Sequence, residues 1–144
     1  MGAPWQFTVR AASWRDDLAA LQDLRRSVFI IEQRVPESLE WDAADAEAIH
    51  ALALDAQARP IATGRLLPDG HIGRMAVVRP WRRRGVGSAI LEFLIGRARQ
   101  QGHAAVHLNA QIRALGFYTR HGFAAHGDEF MDAGIPHRRM TLKW

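Results

Sequence analysis

The segment Arg82-Arg83-Arg84-Gly85-Val86-Gly87-Ser88 constrains this chain more than any other. It follows a strand-like run, residues 72–78, and opens residues 86–101, where Val86, Ile90, Phe93, Leu94 and Ala98 recur at helical spacing until Gly102. Strand, glycine turn and helix start in that order make an anion cradle. The glycines let main-chain N–H groups converge without Cβ obstruction, and the helix dipole adds about half a positive charge. A pyrophosphate suits such a cradle. A Walker-type loop is excluded because no Gly-Lys-Ser/Thr follows, and the dinucleotide fingerprint is weak because Ile90 stands where its third glycine belongs. Three adjacent arginines also suit nucleic acid, but Arg97, Arg99 and Arg113 are scattered, which counts against that reading.

Around this loop the chain reads β-α-β-β-β-α-β-α-β-β. Residues 5–11 have strand composition, and Ser13 with Asp16 precedes a helical stripe of Leu18, Leu21, Leu24 and Val28. Residues 49–55, 61–67 and 72–78 form an antiparallel meander separated by turn residues. Beyond the long helix, residues 104–109 read as a buried strand ending at Asn109, residues 114–120 as a short helix, and 123–126 with 139–144 as a closing strand pair. This order implies an α+β or mixed α/β sheet with helices on its faces.

At 144 residues, 48% hydrophobic and 24% charged, the chain suits one ordinary domain, residues 1–144. Zero cysteines exclude disulfides, a thiolate nucleophile and zinc-thiolate sites. No apolar run approaches the ~20 residues that span a bilayer, and residues 1–10 lack a leader pattern, so the expected location is cytoplasmic, without membrane partners. Charge is uneven: residues 1–64 carry ten acids against six arginines, and residues 65–144 thirteen bases against five acids. The second half suits an anion, the first a cation.

With its loop and helix in place, the sequence resembles the GNAT acetyltransferase superfamily, whose phosphate loop reads Gln/Arg-x-x-Gly-x-Gly/Ala. Arg82, Gly85 and Gly87 match, and the likeness continues through Met75-Ala76-Val77 before the loop and Ala114-x-x-Phe117-Tyr118-x-x-x-Gly122-Phe123 after it. The resemblance implies a central, mostly antiparallel, splayed mixed sheet flanked by helices, and acetyl-CoA as acyl donor. It places the pyrophosphate on the amides of Arg83, Arg84, Gly85, Val86, Gly87 and Ser88, with Arg82 completing the motif. The pantetheine arm would pair beside Met75, Ala76 and Val77 like an added strand. Tyr118, the single tyrosine, falls where the family keeps a general acid for the departing thiolate, and Asn109 where it keeps an asparagine that holds CoA or a water. The chain resembles the ElaA-like branch in residues 35–36, 40–45 and 134–137. It is also similar to acyl-homoserine-lactone synthases in Arg25-x-x-x-Phe29, Glu40-x-Asp42-x-x-Asp45 and Arg65-Leu66-Leu67-Pro68.

The implied reaction is acetyl transfer to a primary amine by direct attack in a ternary complex, with no metal. Glu40, Asp42 and Asp45 would form a wall attracting a cationic amine, with Glu129 and His137 near the acceptor; the competing account pairs these carboxylates with Arg25, Arg26 or Arg65. Glu129, His137 and His71 are the candidate bases. A catalytically silent acyl-CoA sensor would keep the loop without needing Tyr118. A homodimer is compatible with all of these readings.

Overall fold

The computed structural model describes residues 5–144, so the leader-free start expected for residues 1–10 lies partly outside it. Four strands form an antiparallel meander in the order β1 (Phe7–Ala12), β2 (Ile49–Asp55), β3 (Pro60–Leu66), β4 (Ile72–Val77). Three more form a second antiparallel sheet with β7 (Ile135–Lys143) between β5 (Ala105–Gln111) and β6 (Ala124–Asp132). One parallel bridge, His71 to His107, joins the two sheets. From that point β4 and β5 have no further bridge, and the composite sheet splays as the resemblance implied.

Strand β2 is buried on both faces because helices cover both. Its alternation sends Ala51 and Ala53 to the core under α3 (Val86–Gln100), and Leu52 to a smaller core with Leu21 and Leu24 of α1 (Leu18–Arg25). The α3 stripe Ile90, Leu91, Leu94 and Ala98 is fully buried, as its spacing requires. No helix among the described residues is long and apolar enough to cross a membrane.

Four expectations need correcting. The helix that carries Leu18 to Val28 does not stay α-helical: Arg26–Glu32 is a π-helical segment, with Gln33 N–H bonded to Val28 O at 3.0 Å. Residues 32–47, whose six acids and Pro36 read as loop or a short helix turn outside the core, do hold short turns, α2 (Glu37–Glu40) and a 3₁₀ turn, Ala43–Glu47, but Glu40 and Asp45 on them are buried. Strand β5 passes Asn109 and ends at Gln111, because β7 pairs with it as far as His137 opposite Gln111. The closing pair is a long hairpin with Ala133 and Gly134 between its strands, both at positive φ.

Across β3 and β4, Thr63 faces Ala76 and Arg65 faces Gly73, so Arg74 and Met75 together oppose Gly64. This β-bulge puts Arg74 at φ +50° and bends β4. Gly64 lies beneath α3, where a Cβ would stand 2.7 Å from Met75 Sδ, 2.9 Å from Ile90 Cγ2 and 3.0 Å from Leu94 Cδ1. Gly64→Ala should therefore destabilise the fold by about 1–3 kcal/mol through overpacking, read as a lower urea midpoint with an unchanged slope.

Candidate active site

Between the diverging strands lies a cavity of about 430 Å³. Met75 of β4, Asn109 and Gln111 of β5, Tyr118 of α4 (Leu115–Arg120) and His137 of β7 line it, and the π-helical segment contributes Phe29. Gln111 Nε2 donates to Gln33 Oε1 at 3.0 Å, tying β5 to the end of that segment across the opening.

The glycine loop follows β4 directly. Gly85 caps α3 at φ +81° and offers no side-chain cap, and Ala89 N–H makes the first helical bond, to Gly85 O. The N–H groups of Val86, Gly87 and Ser88 therefore precede the helical ladder and stand free for an anion. At Gly85 a Cβ would meet nothing within 4 Å, so the left-handed backbone itself selects glycine there. Val86 is buried and anchors the turn, while Arg83 and Arg84 are exposed. Arg84 lies over Trp5 at 3.8 Å, and Trp5 meets Trp81 edge-on at 5.1 Å. Ser88 Oγ is 2.9 Å from His121 Nε2.

Arg82 has a different task from the rest of its motif. Its Nη1 and Nη2 donate to Glu32 at 2.6 and 2.7 Å, and its Nε donates to Val77 O at 2.9 Å. The guanidinium thus clamps the loop to the π-helical segment, and it holds the Glu32 carboxyl below its ordinary range. On the other side of the loop, a Cβ at Gly87 would sit 3.6 Å from the Phe117 ring, next in sequence to Tyr118. Burial pushes the Tyr118 hydroxyl up to about 12, so it stays protonated and able to donate.

The acidic run is where the sequence reading departs most from the structure. Glu40 and Asp45 are 2% and 1% exposed, not a wall facing an incoming cation. Arg25, itself 1% exposed, donates to Glu40 Oε1 at 2.6 Å, to Asp45 Oδ1 at 2.7 Å and to Glu40 O at 3.0 Å. Arg65 reaches Asp42 and Asp45, each at 2.8 Å from Nη1, and Arg74 borders the same cluster. Three arginines meet three carboxylates, so the cluster is neutral and the expected attraction for a cationic acceptor loses its source. The Arg65 guanidinium holds Asp42 down at about 2, whereas burial pushes Glu40 up against the pull of Arg25. Of the competing pairings, Arg25 and Arg65 take part, while Arg26 pairs with Glu37 at the surface. Trp14 and Trp41 lie over the Arg25 guanidinium at 5.4 and 5.1 Å.

Of the remaining candidates, Glu129 lies on exposed β6 and is not part of the cavity wall. His137 lines the cavity at 8% exposure, with its Nδ1 2.7 Å from Ile135 O. A carbonyl oxygen only accepts, so Nδ1 carries the proton and the neutral ring keeps its lone pair on Nε2. His71 also lines the cavity; burial and its neighbour His107 lower its pKa.

A splayed sheet, a helix-capping glycine loop and a tyrosine hydroxyl lining the cleft are the features that the resemblance to the acyltransferases implied. Residues 15–144 match the sequence profile of the acetyltransferase (GNAT) domain, and the chain belongs to that family. The uncharacterized N-acetyltransferase YjcF of Bacillus subtilis is 37% identical over 121 residues, 81% of this chain and 86% of that protein. An acyl-CoA N-acyltransferase from Pseudomonas aeruginosa has the same fold, with a TM-score of 0.84 and 28% identity over 95% of this chain and 99% of its own. Escherichia coli ElaA superposes with a TM-score of 0.84 at 24% identity, covering 96% of this chain and all of its own (100%).

Removing one partner from the buried cluster leaves charge uncompensated, which costs more than the pair contributes. Arg25→Met should destabilise by about 3–5 kcal/mol in urea unfolding. Arg10→Met, at the exposed pair with Asp17, should cost under about 1 kcal/mol.

Proposed function

We propose that this protein transfers an acetyl group from acetyl-CoA to a primary amine by direct attack within a ternary complex. The observation that carries the reading is the free N–H row of Val86, Gly87 and Ser88 at the start of α3, where a Cβ on Gly87 would lie 3.6 Å from Phe117, the residue before the cleft's Tyr118. In this reading those N–H groups, with the exposed Arg83, Arg84 and Gly85, hold the pyrophosphate. Arg82 acts one step removed, by fixing the loop. The edge of β4 at Met75, Ala76 and Val77 has β3 on one side only, so its other edge is open to the pantetheine arm. The Val77 carbonyl is already engaged by Arg82, which leaves that pairing to the remaining main-chain groups of the edge. Asn109, on the β5 side of the splay, is exposed to the same cleft and offers its amide to the donor or an ordered water.

Direct transfer fits the cavity wall, which has no Ser, Thr, Cys or Lys among the described residues to carry an acyl group. The acceptor must lose a proton before or during attack, and His137 takes it on Nε2, the nitrogen its bond to Ile135 leaves free. Tyr118 serves the leaving group. With its pKa at about 12, the phenol lies above an alkyl thiol of about 8.5, so it stabilises the departing thiolate by donating a hydrogen bond as charge develops and keeps its own proton, CoA leaving as the thiolate.

Two measurements test this reading. Gly87→Ala places a methyl at ordinary contact distance from Phe117 and Val77 and improves helix propensity, so stability should hold while acetyl-CoA affinity falls by roughly tenfold in titration calorimetry. Unchanged affinity would remove the pyrophosphate from that turn. Tyr118→Phe should lower turnover, followed by thiol release, by roughly 10²–10⁴ with acetyl-CoA affinity retained. A protein that binds acetyl-CoA and releases no thiol with any amine would be a sensor instead.

A further inference from the structure

The buried ion cluster is balanced in number but not in hydrogen bonding. Arg25 has a partner for each of its three nitrogens between 2.6 and 3.0 Å. Arg65 is 6% exposed and lines the cavity; its Nη1 and Nη2 are engaged at 2.8–2.9 Å, but its Nε is buried with no hydrogen-bond partner. The other orphaned atom of the cluster, Asp45 Oδ2, belongs to a residue that is not part of the cavity wall.

Arg74 is the least satisfied of the three arginines. Its contacts to Leu39 O, Glu40 O, Glu40 Oε2 and Asp42 Oδ2 all lie at 3.1–3.4 Å, and its Nη1 has no partner among the described residues. The bulge that sets Arg74 at φ +50° also places it on the cavity wall, with its side chain 26% exposed. Burial and the nearby charges of Arg65 and Arg25 push its pKa down, the direction expected of a cation short of counter-charge. The nearby carboxylates are committed elsewhere, Glu40 chiefly to Arg25 and Asp42 to Arg65. Asp132, exposed at the end of β6, is the other carboxylate of the wall.

Buried donors without acceptors cost free energy, and guanidinium groups are best met by planar two-oxygen anions. We propose that the acceptor carries a carboxylate beside its amine, as an amino acid does, and that the Arg74 guanidinium on the cavity wall binds that carboxylate. The Arg65 Nε–H is sealed inside the cluster, so the donor open to the cavity is Arg74. Its Nη1 is unpartnered among the described residues and its Nη2 contacts are long, leaving a guanidinium edge for the two oxygens of a carboxylate. The inference rests on the transfer reading for the role of the cavity, and it replaces the cationic acceptor expected from the acidic run with a zwitterionic one.

Binding separates this inference from the transfer reading. Two matched sets, leucine with leucinamide and isopentylamine, and phenylalanine with phenylalaninamide and phenethylamine, are titrated calorimetrically into the enzyme saturated with CoA. In at least one set the carboxylate member should bind roughly ten- to a hundredfold more tightly than its amide. Arg74→Gln should abolish that preference without weakening CoA binding, and Arg74→Lys should keep part of it. The preference is a ratio within one protein, so a change in the folded fraction does not alter it. Carboxylates binding no better than amides in either set, or not binding at all, overturn the inference. If the preference is present and depends on Arg74 but acetyl-CoA yields no thiol with any of the six compounds, the inference stands and the transfer reading falls. Thiol release with isopentylamine or phenethylamine and no carboxylate preference has the opposite meaning.

Discussion

Strands β4 and β5 touch at His71 and His107 and then part, and the rest of the molecule is arranged around that separation. Unpaired strand edges inside a protein are costly because each exposes main-chain donors and acceptors. Here the divergence has local causes. The bulge at Arg74 and Met75 bends β4, and the chain then leaves the sheet through a 3₁₀ turn, Arg79–Trp81, before the glycine loop. Meanwhile β5 is held straight by seven residues of antiparallel pairing with β7. A bent strand beside a straight one opens a wedge, and the wedge is the cleft.

The second device is the ion cluster behind the cleft. Burying four charged groups, with Asp42 and Arg74 at the margin, is weak evidence of stabilisation, because desolvation offsets most of the Coulombic gain. Its value lies in geometry. Arg25 stands at the end of α1, Glu40 ends α2, Asp45 lies on the 3₁₀ turn, and Arg65 and Arg74 belong to β3 and β4. Segments with little regular structure of their own are thereby fixed to the sheet in one arrangement. The Glu32–Arg82 clamp does the same for the π-helical segment and the phosphate loop.

What the sequence conveys follows from the range of the interactions involved. The meander and α3 are written in local periodicity, and the glycine loop in residues whose backbone role is independent of distant neighbours; these placements agree with the structure to within a residue or two. The continuation of β5 beyond Asn109 and the length of the final hairpin depend on pairing with β7, and neither stretch has a pattern that announces it. The cluster is harder still. Fifteen residues separate Arg25 from Glu40 and twenty separate it from Asp45, across turns with no period, so the same acids read equally well as solvated or as buried. Arg74 gave no signal, since a bulge is a mismatch between two strands and is invisible in either alone. The arrangement of Tyr118 with the cleft was implied by resemblance, and its neighbours His137 and Gln111 come from strands whose register only the assembled sheet supplies.

The π-helical segment has a consequence for how the chain tolerates change in length. Its i→i+5 bonding, seen in Gln33 bonded back to Val28, accommodates one more residue per turn than an α-helix would. Losing a single residue there lets the bonding relax to the α-helical i→i+4 pattern with little rotation, whereas gaining one would turn everything beyond it by roughly 100° about the axis. Glu32 would swing away from Arg82 and Gln33 away from Gln111, although every side chain that makes those bonds would still be present. Substitutions along residues 26–32 can be absorbed one at a time. A frame-preserving gain of one codon cannot, and among descendants of this gene insertions in that segment should be rarer than substitutions.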